Sequence, residues 1–233
     1  MVEVDQYLSQ TRSNIELQVN EQWQPNLRAV WGGEVRQETV KSPQNYNSDR
    51  TLSGELARVF GNVEWRANDW VLLQGGAMLE HHYYTGTDIS PRAAANFTVA
   101  PGHVIRLGVS QATRSPTFFE EEGNQVYLLE SGGLADMYTV PSQGLEPERI
   151  LSREIGYVGF WRPVGLELDV RVFQDKINDF IGQQKGNFFP DTGSILSANE
   201  FQYQNLGSVK SWGGEIELRW KPTRAVDVSA HYA

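Results

Sequence analysis

Two adjacent histidines, His81-His82, with Glu80 before them and Tyr83-Tyr84 after, are of the types that hold a metal or touch a haem. Neighbouring residues on a strand point to opposite faces, so this pair does not converge on one ion. A polar strand end is the plainer reading. Glu120-Glu121-Glu122 and the pair Asp175/Asp179 have the chemistry of a cation site or an acid–base pair. Three adjacent acids in a loop read instead as a solvated run. The 4 His of the chain (81, 82, 103 and 231) stand in no nucleophile–base arrangement with a Ser or an acid. With 0 Cys there is no disulfide and no thiolate ligand. The sequence reads as a non-enzyme, with no metal site and no cofactor.

A net charge of −9 excludes a nucleic-acid partner, which needs a basic face. No run of roughly 18 apolar residues exists for a membrane helix. A mean hydropathy of −0.46 is compatible with membrane strands, which bury one face and alternate. Alternation is nearly everywhere. In Leu166–Val172, Leu166, Leu168, Val170 and Val172 oppose Glu167, Asp169 and Arg171; in Val209–Lys221, Trp212, Ile216, Leu218 and Trp220 oppose Glu215, Glu217 and Arg219. Such patterns predict about ten strands, near 12–23, 27–39, 54–65, 70–84, 91–100, 103–114, 151–162, 166–179, 203–221 and 225–233.

The connections alternate in length. Short turns, such as Pro101-Gly102 and Pro163-Val164-Gly165, are followed by longer connections near 40–53, 85–90, 115–150 and 180–202. Short turns at one end and long loops at the other describe an outer-membrane barrel. Trp23, Trp65, Trp70, Trp161 and Trp220 lie within a few residues of short turns, where an aromatic girdle sits. The opposite face carries too many charges for a dry core, among them Arg28, Arg58, Arg106, Asp169, Arg171, Glu215 and Arg219. It suits a wet or plugged lumen. Ile15, Leu17, Val59, Phe97, Leu107, Tyr157, Leu168, Val170, Ile216 and Val228 are expected to face lipid. A solvated sandwich face would account for the charges equally well, but not for the sorting of the loops.

Three stretches resemble the barrel of TonB-dependent receptors. Gly108–Glu121 is similar to that family's strand ending in Arg-x-Pro, here Arg114-Ser-Pro116, with an acid shortly after. Gly144-Leu-Glu-Pro-Glu148 leads into Glu154-Ile-Gly156, Leu166–Phe173 and Asp175–Ile181, like the family's Leu-x-Pro-Glu, Glu-x-Gly strand and the strand that follows. Asn205-Leu-Gly207 and Trp212–Glu217 resemble its Asn-x-Gly and Gly-x-Glu. The resemblance implies an all-β fold: an antiparallel meander of about ten strands, part of a transmembrane β-barrel in the bacterial outer membrane. Residues 1–233 are then expected to be a partial barrel domain. No plug domain, TonB-contacting segment, aromatic closing strand or signal peptide (Met1 is followed by Val2-Glu3-Val4-Asp5) is seen in them.

The function so implied is uptake of a scarce nutrient such as a ferric siderophore. Its partners would be outer-membrane lipid, the nutrient chelate, and TonB, contacted through an N-terminal region outside these residues. The segment 115–150 is long and rich in apolar groups for an outer loop, and connections of that kind are often functional. The expected ligand contacts are Arg114, Phe118, Phe119, Tyr127 and Tyr138, with Arg114 either meeting an anionic ligand or pairing with Glu120. A passive porin-like or secretion barrel is the alternative, and a soluble β-rich binding module a third.

Overall fold

The computed structural model describes residues 7–142, 144–186 and 200–233. Met1–Asp5 and the middle of the long connection expected at 180–202 lie outside the described residues. Among the described residues fourteen strands follow one another: β1 (Ser9–Gln24), β2 (Leu27–Lys41), β3 (Leu52–Asn68), β4 (Val71–His82), β5 (Gly86–Ala100), β6 (His103–Arg114), β7 (Gln125–Leu128), β8 (Leu134–Val140), β9 (Glu148–Trp161), β10 (Leu166–Asn178), β11 (Ile181–Gly186), β12 (Glu200–Asn205), β13 (Val209–Thr223) and β14 (Val226–Tyr232). Ten of them form one sheet in the order β1-β2-β3-β4-β5-β6-β9-β10-β13-β14, every pair antiparallel. β1 and β14 are the two edges, and among the described residues no ladder joins them.

The register carries the alternation from strand to strand, because one face of each strand must meet the same face of the next. One row reads Phe97, Ile105, Tyr157, Val170, Ile216; the row beside it reads Asn96, Arg106, Gly156, Arg171, Glu215. At the other side of the sheet, Leu17, Gly33, Val59 and Leu79 form one row, and Glu16, Glu34, Arg58 and Glu80 its neighbour. The two predicted sets of residues therefore occupy opposite faces. The apolar face is uncovered, with Ile15 at 75% and Leu17 at 63% exposure.

The polar face is stitched by ion pairs. Glu34, nearly buried, binds Arg58 at 2.5 Å and Arg36 at 2.9 Å, and Arg171 binds Glu215 at 2.9 Å. Arg106 on β6 reaches past β9 to Asp169 on β10, again at 2.5 Å. It does so over Gly156, where a Cβ would stand 3.1 Å from its Nε. Only a residue without a side chain lets the guanidinium lie that flat.

Two expectations need correcting. The strand predicted at 203–221 is interrupted: β12 stops at Asn205 and β13 begins at Val209, because Gly207 takes φ 95°, which ends the extended run. The connections 40–53, 115–150 and 180–202 also hold structure of their own. α1 (Pro43–Tyr46) and α2 (Phe118–Glu122) are short helices, and β11, β12, β8 and β7 form a second sheet. Within it β8 and β12 run parallel over Thr139–Phe201 and Val140–Gln202. The meander thus holds for the ten wall strands, and the loop sheet stands outside it. Beneath the loops lies a small core of Val40, Tyr46, Leu52 and Phe118, against which Tyr83, Tyr84 and Phe119 pack.

Candidate ligand site at the loop end

β6 stops where Arg114-Ser115-Pro116 meets a residue with no N–H to donate. Thr117 then caps α2: its Oγ1 accepts from the Glu120 N–H at 3.2 Å, and Glu120 Oε2 accepts from the Thr117 N–H at 2.8 Å. The same Glu120 carboxylate holds Arg114 Nη1 at 3.0 Å. The register places Glu148, at the start of β9, opposite Arg114, and its Oε2 accepts from Arg114 Nε at 2.6 Å. Glu148 Oε1 accepts the Ile181 N–H at 2.8 Å, which anchors β11.

The acidic run is not the solvated one expected. Glu121 accepts the Gly144 and Leu145 N–H groups at 2.8 and 3.1 Å, and Glu122 pairs with Arg50 at 2.7 Å. Each acid of the run has a partner because α2 folds back over the base of the loops. Asn205 completes the junction. Its Nδ2 donates to the Glu146 and Asp179 carbonyls at 2.9 and 2.6 Å, and its Oδ1 accepts from the Glu146 N–H at 2.9 Å. The three sequence motifs thus meet in one knot.

Beside that knot a recess of about 580 Å³ opens between the wall and the loops. Arg114, Phe118 and Phe119 line it, together with Tyr46, Tyr83 and Arg36. Phe118 is 7% exposed and belongs to the loop core, stacking on Tyr83 with ring centroids 4.9 Å apart. Phe119 stands edge-on to Tyr46 and Tyr203. Tyr127 and Tyr138 do not line the recess. They lie on β7 and β8 of the loop sheet, Tyr138 exposed and 5.2 Å from the Phe201 ring.

Tyr83 and Tyr84 are marked in the sequence only as neighbours of the histidine pair, and Tyr46 and Tyr203 by nothing. Burial, and then nearby Glu122, push the Tyr84 hydroxyl above the ordinary phenol range, and burial with Glu38 does the same for Tyr83. Both stay neutral and act as hydroxyls, not phenolates. The arginines of the recess are already engaged: Arg12 with Glu38 at 2.7 Å, Arg36 with Glu34, and Arg114 with two carboxylates. The recess therefore offers rings and hydroxyls more than free cations. His81 and His82 point to opposite faces as expected, His81 to Thr87 Oγ1 at 2.9 Å and His82 onto the Tyr83 ring.

A two-faced antiparallel meander, short-turned at one end and looped into a knot at the other, is the construction of a β-barrel wall. The chain belongs to the TonB dependent receptor-like β-barrel family, which matches residues 4–233. No curated protein sequence matches it. Among solved structures, the siderophore receptor PirA from Pseudomonas aeruginosa is 18% identical with a TM-score of 0.78, over 96% of this chain and 42% of that one. A ferric enterobactin receptor (PfeA) mutant from the same species is 15% identical with a TM-score of 0.77, over 96% and 35%. The Serratia marcescens hemophore receptor HasR, solved with its hemophore HasA and heme, is 16% identical with a TM-score of 0.72, over 92% and 40%. At these identities the likeness is one of fold. The chain spans less than half the length of each.

Proposed function

We propose that this chain is a ten-strand part of the barrel of an outer-membrane transporter that takes up a scarce nutrient such as a ferric siderophore, energised through TonB. The apolar face meets lipid, the ion-paired face lines the lumen, and the knotted loops face outward. The observation that carries this reading is the register, which holds one apolar band to one face and the ion-paired residues to the other, while the loops lock together at one end only. Lipid offers no hydrogen-bond partner, so a wall of fully paired strands with an apolar exterior is the form that crosses it. PirA is a siderophore receptor and PfeA a ferric enterobactin receptor, which favours an iron chelate as cargo. Phe119, Tyr127 and Tyr138 would touch the ligand, while Arg114 and Phe118 hold the loop that presents them.

The test is uptake. The full-length receptor carrying this segment is expressed in a bacterium stripped of its own siderophore receptors, and radio-iron entry is followed with and without TonB. TonB-dependent entry of a ferric siderophore is expected. Entry that ignores TonB would point to the passive porin-like reading. Absence of the protein from the outer-membrane fraction would overturn both.

A further inference from the structure

The apolar face carries three cations within one outward step of each other. From the short-turn end this face reads Trp161, Gly159, Tyr157, Ile155 on β9; Leu166, Leu168, Val170, Val172 on β10; and Trp220, Leu218, Ile216, Gly214 on β13. The next outward positions are Arg153 on β9, Gln174 and Lys176 on β10, and Trp212 and Lys210 on β13. The register sets Lys176 directly against Lys210 and Arg153 against Gln174, so Arg153 is diagonal to Lys176. Directly opposed residues have Cβ atoms roughly 4.5–5.5 Å apart and diagonal ones about 7–8 Å, within reach of these long side chains.

Two like charges so placed repel each other. None of the three makes an ion pair among the described residues. The acids of these strands, Glu148, Glu154, Glu167, Asp169, Asp175, Glu215 and Glu217, face the other way. Arg149, farther along β9, is already bound to Asp88 at 3.2 Å and Asp179 at 3.6 Å. Beside the three cations, Trp212 is 82% exposed, the most of any large apolar residue among the described residues.

Their height follows from the strand. Leu166 to Lys176 is 11 residues of β10, and a tilted strand crosses the hydrocarbon in roughly 9–11. This step rests on the membrane orientation proposed above. On it, the three cations stand where the hydrocarbon ends and the outer leaflet's headgroups begin. We infer that Arg153, Lys176 and Lys210 bind the phosphorylated headgroup of an outer-leaflet lipid, with the Trp212 ring at the boundary between headgroup and acyl chain. A phosphate carries close to two charges and three acceptor oxygens, enough to relieve the lysine pair and leave an edge for the guanidinium. A lone carboxylate would neutralise only one of the three charges.

The experiment uses the full-length receptor in phosphatidylcholine vesicles with and without diphosphoryl lipid A, reading the lipid concentration that half-saturates thermal stabilisation. Each cation near an anionic surface contributes about fivefold, so Arg153→Gln/Lys176→Gln/Lys210→Gln should weaken the lipid effect on the order of a hundredfold. Its melting point in pure phosphatidylcholine should match the parent. If the triple variant does not insert, Lys210→Gln alone should give a severalfold loss. Equal saturation in parent and variants would overturn the inference, as would the same stabilisation by dephosphorylated lipid A or by inorganic phosphate alone. Failure of the parent itself to enter the vesicles would instead overturn the membrane reading.

Discussion

Glu148 is the point on which the loop knot turns. Its carboxylate, 6% exposed, receives Arg114 Nε at 2.6 Å on one oxygen and the Ile181 N–H at 2.8 Å on the other. Glu148→Ala leaves the N–H of Ile181, a residue 5% exposed, without an acceptor. An orphaned buried donor costs about 1–3 kcal/mol. Arg114 keeps Glu120 and is 39% exposed, so the lost ion pair adds no more than about 1 kcal/mol. The total, about 1–4 kcal/mol, raises local opening of β11 and β12 roughly 5- to 900-fold without unfolding the wall. Hydrogen exchange of the peptide around Ile181, followed by mass spectrometry in the full-length receptor, reads that opening. Glu148→Gln keeps an acceptor oxygen and should cost under about 1 kcal/mol. Unchanged exchange in Glu148→Ala would refute the anchoring role. If Glu148→Gln proved as damaging as Glu148→Ala, the charge and not the acceptor would be what matters.

Three further outcomes follow from the same geometry. Val170→Arg on the apolar face should cost about 2–4 kcal/mol in the membrane-inserted barrel, whereas Asp169→Asn beside it should cost under about 1; urea midpoints of the refolded receptor compare them, and equal costs would contradict the sidedness. Gly156→Val puts a side chain under the Arg106 guanidinium and should cost about 1–3 kcal/mol, a penalty that shrinks when Arg106→Ala is made with it; an additive double-mutant cycle would refute the crossing. Phe118→Ala removes a buried ring and should cost the loop core about 3–5 kcal/mol, seen as faster proteolysis of 115–150, while Tyr138→Ala should leave the loops intact and change only ligand affinity.

The wall was legible in the sequence because each of its strands separates two unlike surroundings. Leu166 to Val172 alternates since lipid-type and lumen-type positions repeat every two residues, and that period needs no knowledge of the neighbours. The loop sheet has no such contrast. β7 spans only Gln125–Leu128, β12 meets β8 over two residue pairs, and Phe201 and Thr139 are joined across a long stretch of chain. Nothing local marks a pairing of that kind, since short strands are fixed by what packs on them. The same reason explains why Glu120–Glu122 looked like a solvated run: their partners, Arg50, Gly144, Leu145 and Arg114, come from three other segments. The motifs pointed at the right residues but not at what they do. Arg114-Ser-Pro116, Leu145-Glu-Pro-Glu148 and Asn205-Leu-Gly207 are legible as separate signatures, and the structure shows them to be one object, the clasp that closes the loops over the wall. The hydrogen bonds of the clasp involve neither of the rings it presents. Phe119 and Tyr138 could then change to suit a cargo while Arg114, Glu148 and Asn205 could not. Exchanging 125–140 for a loop of another receptor should move ligand preference and leave the Ile181 amide as protected as before.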